Sequence, residues 1–383
     1  MVIVTSAPIT LNVFMRPHLF EMSNHFEVTA ICNGNYFEIK NNLPNSINFF
    51  PIKIIRKVSL FFDILALVRL TYFFTCYRPL IIHSVTPKAG LLSMIGGWIA
   101  RVPVRIHIFT GQVWVTKKGL SRAIFRAADK LTSFFATHVL TDSKSQREFL
   151  INEEVCKSKK ILVLAAGSIS GVDLQRFKVD NSARISLRKE LSIDESDKVI
   201  LFVGRLNREK GIIDLALAFS ALCQNYKKIH LIIVGPDEGM IHDIEQVAIG
   251  CLNRIHIIGM SNCPERYMAA SDILALPSYR EGFGSVIIEA AACGIPSVAS
   301  RIYGLTDAIE DCKSGYLHEA GNVSDLTSKL MKLIENDKLR IEMGEYARAR
   351  VVEYFSVERV VKCQIEFYFK VMSDLFKNKN LRM

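Results

Sequence analysis

Paired cysteines are missing from this chain. Nine cysteines are scattered through 383 residues, and no two stand closer than Cys251 and Cys263. With no C-x-x-C and no metal-ligand spacing, a zinc framework and a disulfide scaffold are excluded. The pattern points to reduced thiols in a cytosolic compartment. Long apolar runs are missing too. The longest uncharged run, Met1 to Met15, is broken by Pro8 and Asn12, so no spanning helix is expected. No basic stretch precedes the first apolar residues, so no secretory leader is expected either. Short-period repeats and low-complexity tracts are absent.

Half of the residues are hydrophobic, and the length suits two domains of ordinary size. Positive charge is unevenly placed. Residues 1–180 hold 22 Lys and Arg against 11 Asp and Glu, whereas the remainder holds 26 against 27. The basic half implies an anionic partner: nucleic acid, an anionic membrane surface or a phosphorylated acceptor. A solvated basic face without a partner is the plain alternative. No aromatic-basic stacking motif accompanies the charge, so nucleic acid is not expected.

Short apolar runs alternate with amphipathic segments. Val2-Ile3-Val4, Val28 to Ile31, Leu80 to His83, Val104 to Thr110 and His138 to Leu140 read as buried strands. The logic then repeats with Val199 to Val203, Ile229 to Val234, Arg254 to Ile258 and Ile273 to Leu276. Helical stretches lie between, near 89–100, 120–135, 212–224, 240–251 and 264–270. Such alternation predicts parallel sheets covered on both faces, hence two doubly wound α/β domains. The boundary is expected after Gly171 to Phe177, where a polar, weakly patterned stretch begins at Lys178. Segment Ile52 to Ile82 combines a basic start (Lys53, Arg56, Lys57) with Leu60-Phe61-Phe62, Ile64-Leu65 and Leu67-Val68. It suits either a core helix or a helix lying on a membrane surface.

Two stretches carry chemistry. Gly204-Arg205-Leu206-Asn207-Arg208-Glu209-Lys210-Gly211 follows one strand and precedes a helix, as a diphosphate requires: close backbone approach plus two cations. Arg280-Glu281-Gly282-Phe283-Gly284-Ser285-Val286 follows another strand and opens a helix that ends at Gly294-Ile295-Pro296. The helix start offers N–H groups to phosphate. Glu289 stands inside it among Val286, Ile287, Ile288 and Ala290, where a carboxylate is costly unless it binds something. On periodicity alone, a Glu289 that faces solvent is equally compatible. Both loops leave carboxyl ends of strands, where open α/β sheets bind ligands.

Together these motifs, with Ser314-Gly315-Tyr316-Leu317 further on, resemble the family 4 retaining glycosyltransferases of the two-domain GT-B type. The resemblance implies two Rossmann-like domains facing a cleft: residues 1–177 for the acceptor, 178–360 for a nucleotide sugar. A helix over 361–383 is then expected to pack back towards the N-terminal domain. Arg205 and Lys210 are implied to hold the donor diphosphate and Glu281 to touch the donor sugar. Gly204, Gly282, Phe283, Gly284, Ser285 and Val286 are implied to line the donor, and Glu289 to bind the ribose hydroxyls. Glu281, Arg205 and Lys210 are the implied catalytic set. No D-x-D sits beside a strand end, so neither metal nor cofactor is expected.

The N-terminal half resembles more narrowly the capsule and O-antigen transferases, N-acetylhexosaminyl transferases among them, that act on undecaprenyl diphosphate-linked sugars. The matching residues are Thr86-Pro87-Lys88-Ala89-Gly90, Phe109-Thr110-Gly111-Gln112-Val113-Trp114 and Gly167-Ser168-Ile169-Ser170-Gly171-Val172-Asp173. The implied partners are a nucleotide sugar, a polyprenyl diphosphate-linked saccharide and the anionic inner membrane. Thr86, Lys88, His107, Thr110 and Gly111 are the candidate acceptor contacts. Two departures stand out: the first loop reads Ser6-Ala7-Pro8-Ile9-Thr10-Leu11 instead of glycine-rich, and Phe109 stands where many relatives place a histidine. Either His107, two residues earlier, or Thr110 substitutes for it, or nothing does; for His107 a place in the core is the plain alternative.

Overall fold

The computed structural model describes residues 1–55 and 57–380, so Arg56 and the last three residues lie outside it. The chain divides into two compact units. Unit 1 comprises Met1–Gly171 and the chain from Val357 onward, and unit 2 comprises Val172–Ser356.

Unit 1 holds seven strands: β1 (Val2–Val4), β2 (Thr29–Cys32), β3 (Asn48–Pro51), β4 (Ile81–Val85), β5 (Val104–Phe109), β6 (His138–Thr141) and β7 (Ile161–Val163). Their order is β3-β2-β1-β4-β5-β6-β7, and every pairing is parallel. Unit 2 holds β8 (Lys198–Val203), β9 (Ile229–Val234), β10 (Ile255–Gly259), β11 (Ile273–Leu276), β12 (Ser297–Ser300) and β13 (Gly315–His318). Their order is β10-β9-β8-β11-β12-β13, again all parallel. Each sheet therefore reverses direction of winding once, between β1 and β4 and between β8 and β11. That is where a doubly wound sheet opens a crevice at its carboxyl edge.

Both sheets are cores because their strands are apolar on both faces. β9, Ile-His-Leu-Ile-Ile-Val, is buried at every position. In unit 1 one face packs on the Arg16–His25 and Val357–Asn380 helices, the other on Leu60–Tyr77 and Pro87–Ile99. The Val357–Asn380 helix is anchored by Tyr368, whose hydroxyl meets Nδ1 of buried His83 and accepts from Gln364 Nε2 at 2.7 Å. A helix returning to the N-terminal unit was expected from 361, and it starts at Val357.

The crossing points differ from the expected 177/178 and 360/361. Val172 donates its N–H to Phe355 O at 2.8 Å, and Val172 and Ser356 form a parallel bridge. The two crossings are thus stitched side by side within unit 2. The polar stretch after Phe177 is also more ordered than its pattern suggests. It forms the helix Asn181–Glu190, capped by Asp180, whose Oδ1 accepts from Ala183 N at 2.9 Å. Its amphipathicity was hidden because a buried position is Arg188, which donates to Ala270 O at 2.9 Å and to Asp272 Oδ2 at 2.8 Å. Strands β3, β7, β12 and β13 were also not marked by the sequence pattern. They are short, and β3 is exposed at three of its four residues.

Candidate functional site: wedged loops at the unit 2 switch point

Three loops meet at the carboxyl edge of unit 2, after β8, β9 and β11. Glycine permits the meeting. A Cβ on Gly211 would lie 2.0 Å from Pro277 O, and one on Gly235 would lie 1.8 Å from Gly204 O. Both residues have positive φ, +68° and +147°, so side chains are excluded twice over.

Wedged loops bring the predicted residues together. Lys210, held by Asn207 Oδ1 accepting its N–H at 3.0 Å, forms an ion pair with Glu281. Buried Ser278 donates to the same Glu281 oxygen at 3.0 Å. Arg205 Nη1 reaches both oxygens of Glu238, at 2.8 and 3.1 Å, and Asn207 Nδ2 donates to Glu238 at 2.7 Å. A second tier braces the loops from behind. Arg280 donates to Glu209 at 2.6 Å, Tyr279 N–H to Glu209 O at 2.8 Å, and the Tyr279 hydroxyl to Asp214 at 2.6 Å. That last bond, with burial, pushes the Tyr279 phenol up to about 12.

The helix Ser285–Ala292 starts at Gly284 (φ +74°) with no side-chain cap. Gly282, Phe283 and Gly284 are buried, and Ser285 and Val286 are half-buried at the helix start. Glu289 is half-buried and does not simply face solvent. Desolvation pushes its carboxyl up to about 7; Arg176 opposes this, and Glu265 adds to it. Arg176 is itself paired with Glu265 at 2.8 Å.

In unit 1 the predicted residues separate. Thr86 follows β4 at the switch point with φ +80°, a conformation rare for a β-branched residue. Its hydroxyl meets Ser6 Oγ at 2.9 Å and accepts Ser6 N–H at 3.2 Å, joining the first loop to the start of the Pro87–Ile99 helix. Lys88 is paired with Asp63 at 2.8 Å, so a phosphate there has to compete with a carboxylate. His107 is a core histidine, not an acceptor contact. It is 1% exposed, its Nδ1 meets Ser84 Oγ at 2.9 Å, and burial takes its pKa down to about 3. The helix above covers it so closely that a Cβ on Gly90 would lie 2.3 Å from the ring. Thr110 is half-buried and Gly111 buried, just beyond β5.

Sequence reasoning missed Glu238 and Ser278. The turn Gly235-Pro236-Asp237-Glu238-Gly239 after β9 was a usable signal for the first; nothing local marks the second.

The arrangement corresponds to a known family. Residues 183–350 match the model of glycosyl transferases group 1, and residues 26–167 match that of the glycosyl transferase 4-like domain. A capsular polysaccharide biosynthesis glycosyltransferase, CapM of Staphylococcus aureus, is 30% identical over 308 residues, 80% of either chain. The chain belongs to the GT-B glycosyltransferases. Over 364 residues this glycosyltransferase is also 25% identical to an Escherichia coli UDP-Gal:alpha-D-GlcNAc-diphosphoundecaprenol alpha-1,3-galactosyltransferase, covering 93% of this chain and 91% of that one. Its fold matches Anabaena HepE in complex with UDP and glucose with a TM-score of 0.80 at 20% identity, over 97% of this chain and all of the other.

Proposed function

We propose that this glycosyltransferase moves an N-acetylhexosamine from a UDP-linked donor to a saccharide carried on undecaprenyl diphosphate. The product would serve O-antigen, capsule or a related surface polysaccharide, with work done at the cytoplasmic face of the inner membrane. The observation that carries the donor half is the clustering of Arg205, Lys210 and Glu281 on wedged loops at the unit 2 switch point. The acceptor half draws support from the names of the relatives and from the basic first half of the chain.

On this reading Arg205 and Lys210 take the diphosphate, and N–H groups at the Ser285–Ala292 helix start add to them. Glu281 meets the sugar and Glu289 accepts from the ribose hydroxyls. The sugar–phosphate bond breaks on the face that the acceptor hydroxyl enters. The hydroxyl proton passes to the departing phosphate oxygen, and UDP leaves with the bonding electrons. Configuration is retained, and no enzymic nucleophile is needed. The two side-chain cations offset the charge of the leaving group, so no metal is required.

Purified protein, UDP-, GDP- and dTDP-sugars and a lipid-linked acceptor extract test this directly. UDP release with transfer of labelled N-acetylhexosamine in α-linkage, unchanged by chelator and abolished by Glu281→Ala, is expected. Turnover with GDP- or dTDP-hexose alone overturns the donor assignment. Rapid free-sugar or epimer release without acceptor overturns transfer itself.

A further inference from the structure

The helix Gly119–Phe135 sets half-buried Phe125 and Phe135 against the unit 1 core, yet turns a further apolar stripe outward. Its buried side chains are Asp129, Thr132 and Ser133, and Trp114 Nε1–H donates to Asp129 at 2.7 Å beneath it. Outward point Leu120, Ile124, Leu131 and Phe134, with Leu120 at 76% and Phe134 at 74% exposure. At 3.6 residues per turn and 1.5 Å rise per residue these four fall within roughly 80° of one another, along about 21 Å of helix. A surface helix of a water-borne domain shows the opposite pattern.

A second outward stripe lies on the Leu60–Tyr77 helix. Leu60, Phe61, Ile64 and Val68 are exposed, while Ala66, Leu70 and Phe74 enter the unit 1 core. By length and composition this helix is apolar enough to cross a membrane. It is nonetheless anchored to unit 1 by that core face and by Asp63, paired with Lys88. The Pro87–Ile99 helix packs against both striped helices and adds exposed Trp98 and Ile99 at its end. All three helices cover one face of the sheet. Lys53, Lys57 and Lys118 stand exposed beside the stripes, whereas Arg122 is paired with Glu153 at 3.0 Å.

We infer that the two outward stripes are a docking face for an anionic lipid bilayer, met by helices lying along its surface. Apolar side chains entering the headgroup boundary leave water, and lysines beside them meet the negative surface potential, so the two contributions add. A second copy of the chain fits poorly. A two-fold pair sets each patch against itself, and so brings like positive charges together. The inference rests on the reading of the acceptor as membrane-held, and supplies the surface by which the protein reaches it.

The experiment is flotation of the full chain with phosphatidylcholine vesicles, with and without phosphatidylglycerol, for wild type and the Ile124→Asp/Phe134→Asp variant. Both side chains are exposed, so folding is kept, as circular dichroism and unchanged turnover of a short-chain, water-soluble acceptor would register. Wild type is expected to float with the anionic vesicles, less at high salt, and the variant to lose about tenfold or more in binding. Wild type that stays unbound, or a variant that floats equally well, overturns the inference. So does a variant that abolishes a self-association while leaving vesicle binding intact. Transfer to a lipid-linked acceptor without flotation refutes the docking face alone. Flotation without transfer to any lipid-linked acceptor supports the face and refutes the acceptor reading.

Discussion

Glu238 grips Arg205 with both carboxylate oxygens, at 2.8 and 3.1 Å, on the very cation assigned to the donor diphosphate. Lys210 is likewise occupied, by Glu281. Each of the two cations is thus neutralised by a carboxylate from a neighbouring loop. On the proposed function, donor binding would exchange these partners for phosphate oxygens.

Replacing Glu238 with Gln keeps a hydrogen bond to Arg205 and removes the competing charge. Both side chains are about a third exposed, so the ion pair is a weak one. The donor KM is expected to fall by up to about fivefold with kcat little changed. A donor KM that rises instead would show that Glu238 aims Arg205 more than it competes. Steady-state UDP release separates the two.

Arg205→Ala and Lys210→Ala each remove a charge proposed to meet the leaving group, and kcat is expected to drop about 100- to 1,000-fold. Arg205→Lys restores charge without the planar fork, so only partial recovery is expected. Equal loss in KM alone, with kcat intact, would assign these residues to ground-state binding only.

Glu289 gives a pH test. Its folded carboxyl titrates near 7, above its ordinary 4.5, because burial disfavours the charge. The folded state therefore holds more protons than the unfolded one between these values, and the residue lowers stability as pH rises through that window. Glu289→Gln is expected to stabilise the fold more at pH 8 than at pH 5, by on the order of 2–3 kcal/mol in unfolding free energy, and so to raise Tm more at the higher pH. If Glu289 binds the ribose as proposed, donor affinity of wild type should strengthen as pH rises through about 7, since a carboxylate accepts two hydroxyl hydrogen bonds and a neutral acid does not. Thermal melts at the two pH values, with and without UDP, check both statements.

Arg188 is buried at 1% exposure, and its guanidinium satisfies Asp272 together with carbonyls of Ala270, Asp194, Glu195 and Asp197. Arg188→Met leaves Asp272 with one fewer cation, and a loss of about 3–5 kcal/mol in unfolding free energy is expected. Turnover per folded molecule should hold, because Arg188 lies at the amino end of the sheet, away from Arg205 and Glu281. Urea unfolding alongside single-temperature kinetics distinguishes these effects.

Apolar runs at strand length and glycine turns were enough, from the sequence, for the two-sheet α/β architecture and for the loops that carry Arg205, Lys210 and Glu281. Such signals are local: a strand buried on both faces must be apolar throughout, and a loop wedged against another must be glycine at the contact. What only the tertiary structure decided is non-local. Glu238 and Ser278 become partners of Arg205 and Glu281 because parallel strands bring loops far apart in sequence to one edge. His107 is a core residue because a helix lies over it, and Lys88 is engaged because Asp63 stands opposite. The helix Gly119–Phe135 was legible as a helix, but not as one that turns its apolar side outward. Periodicity reports that a helix has two faces. Only packing shows which of them meets the protein.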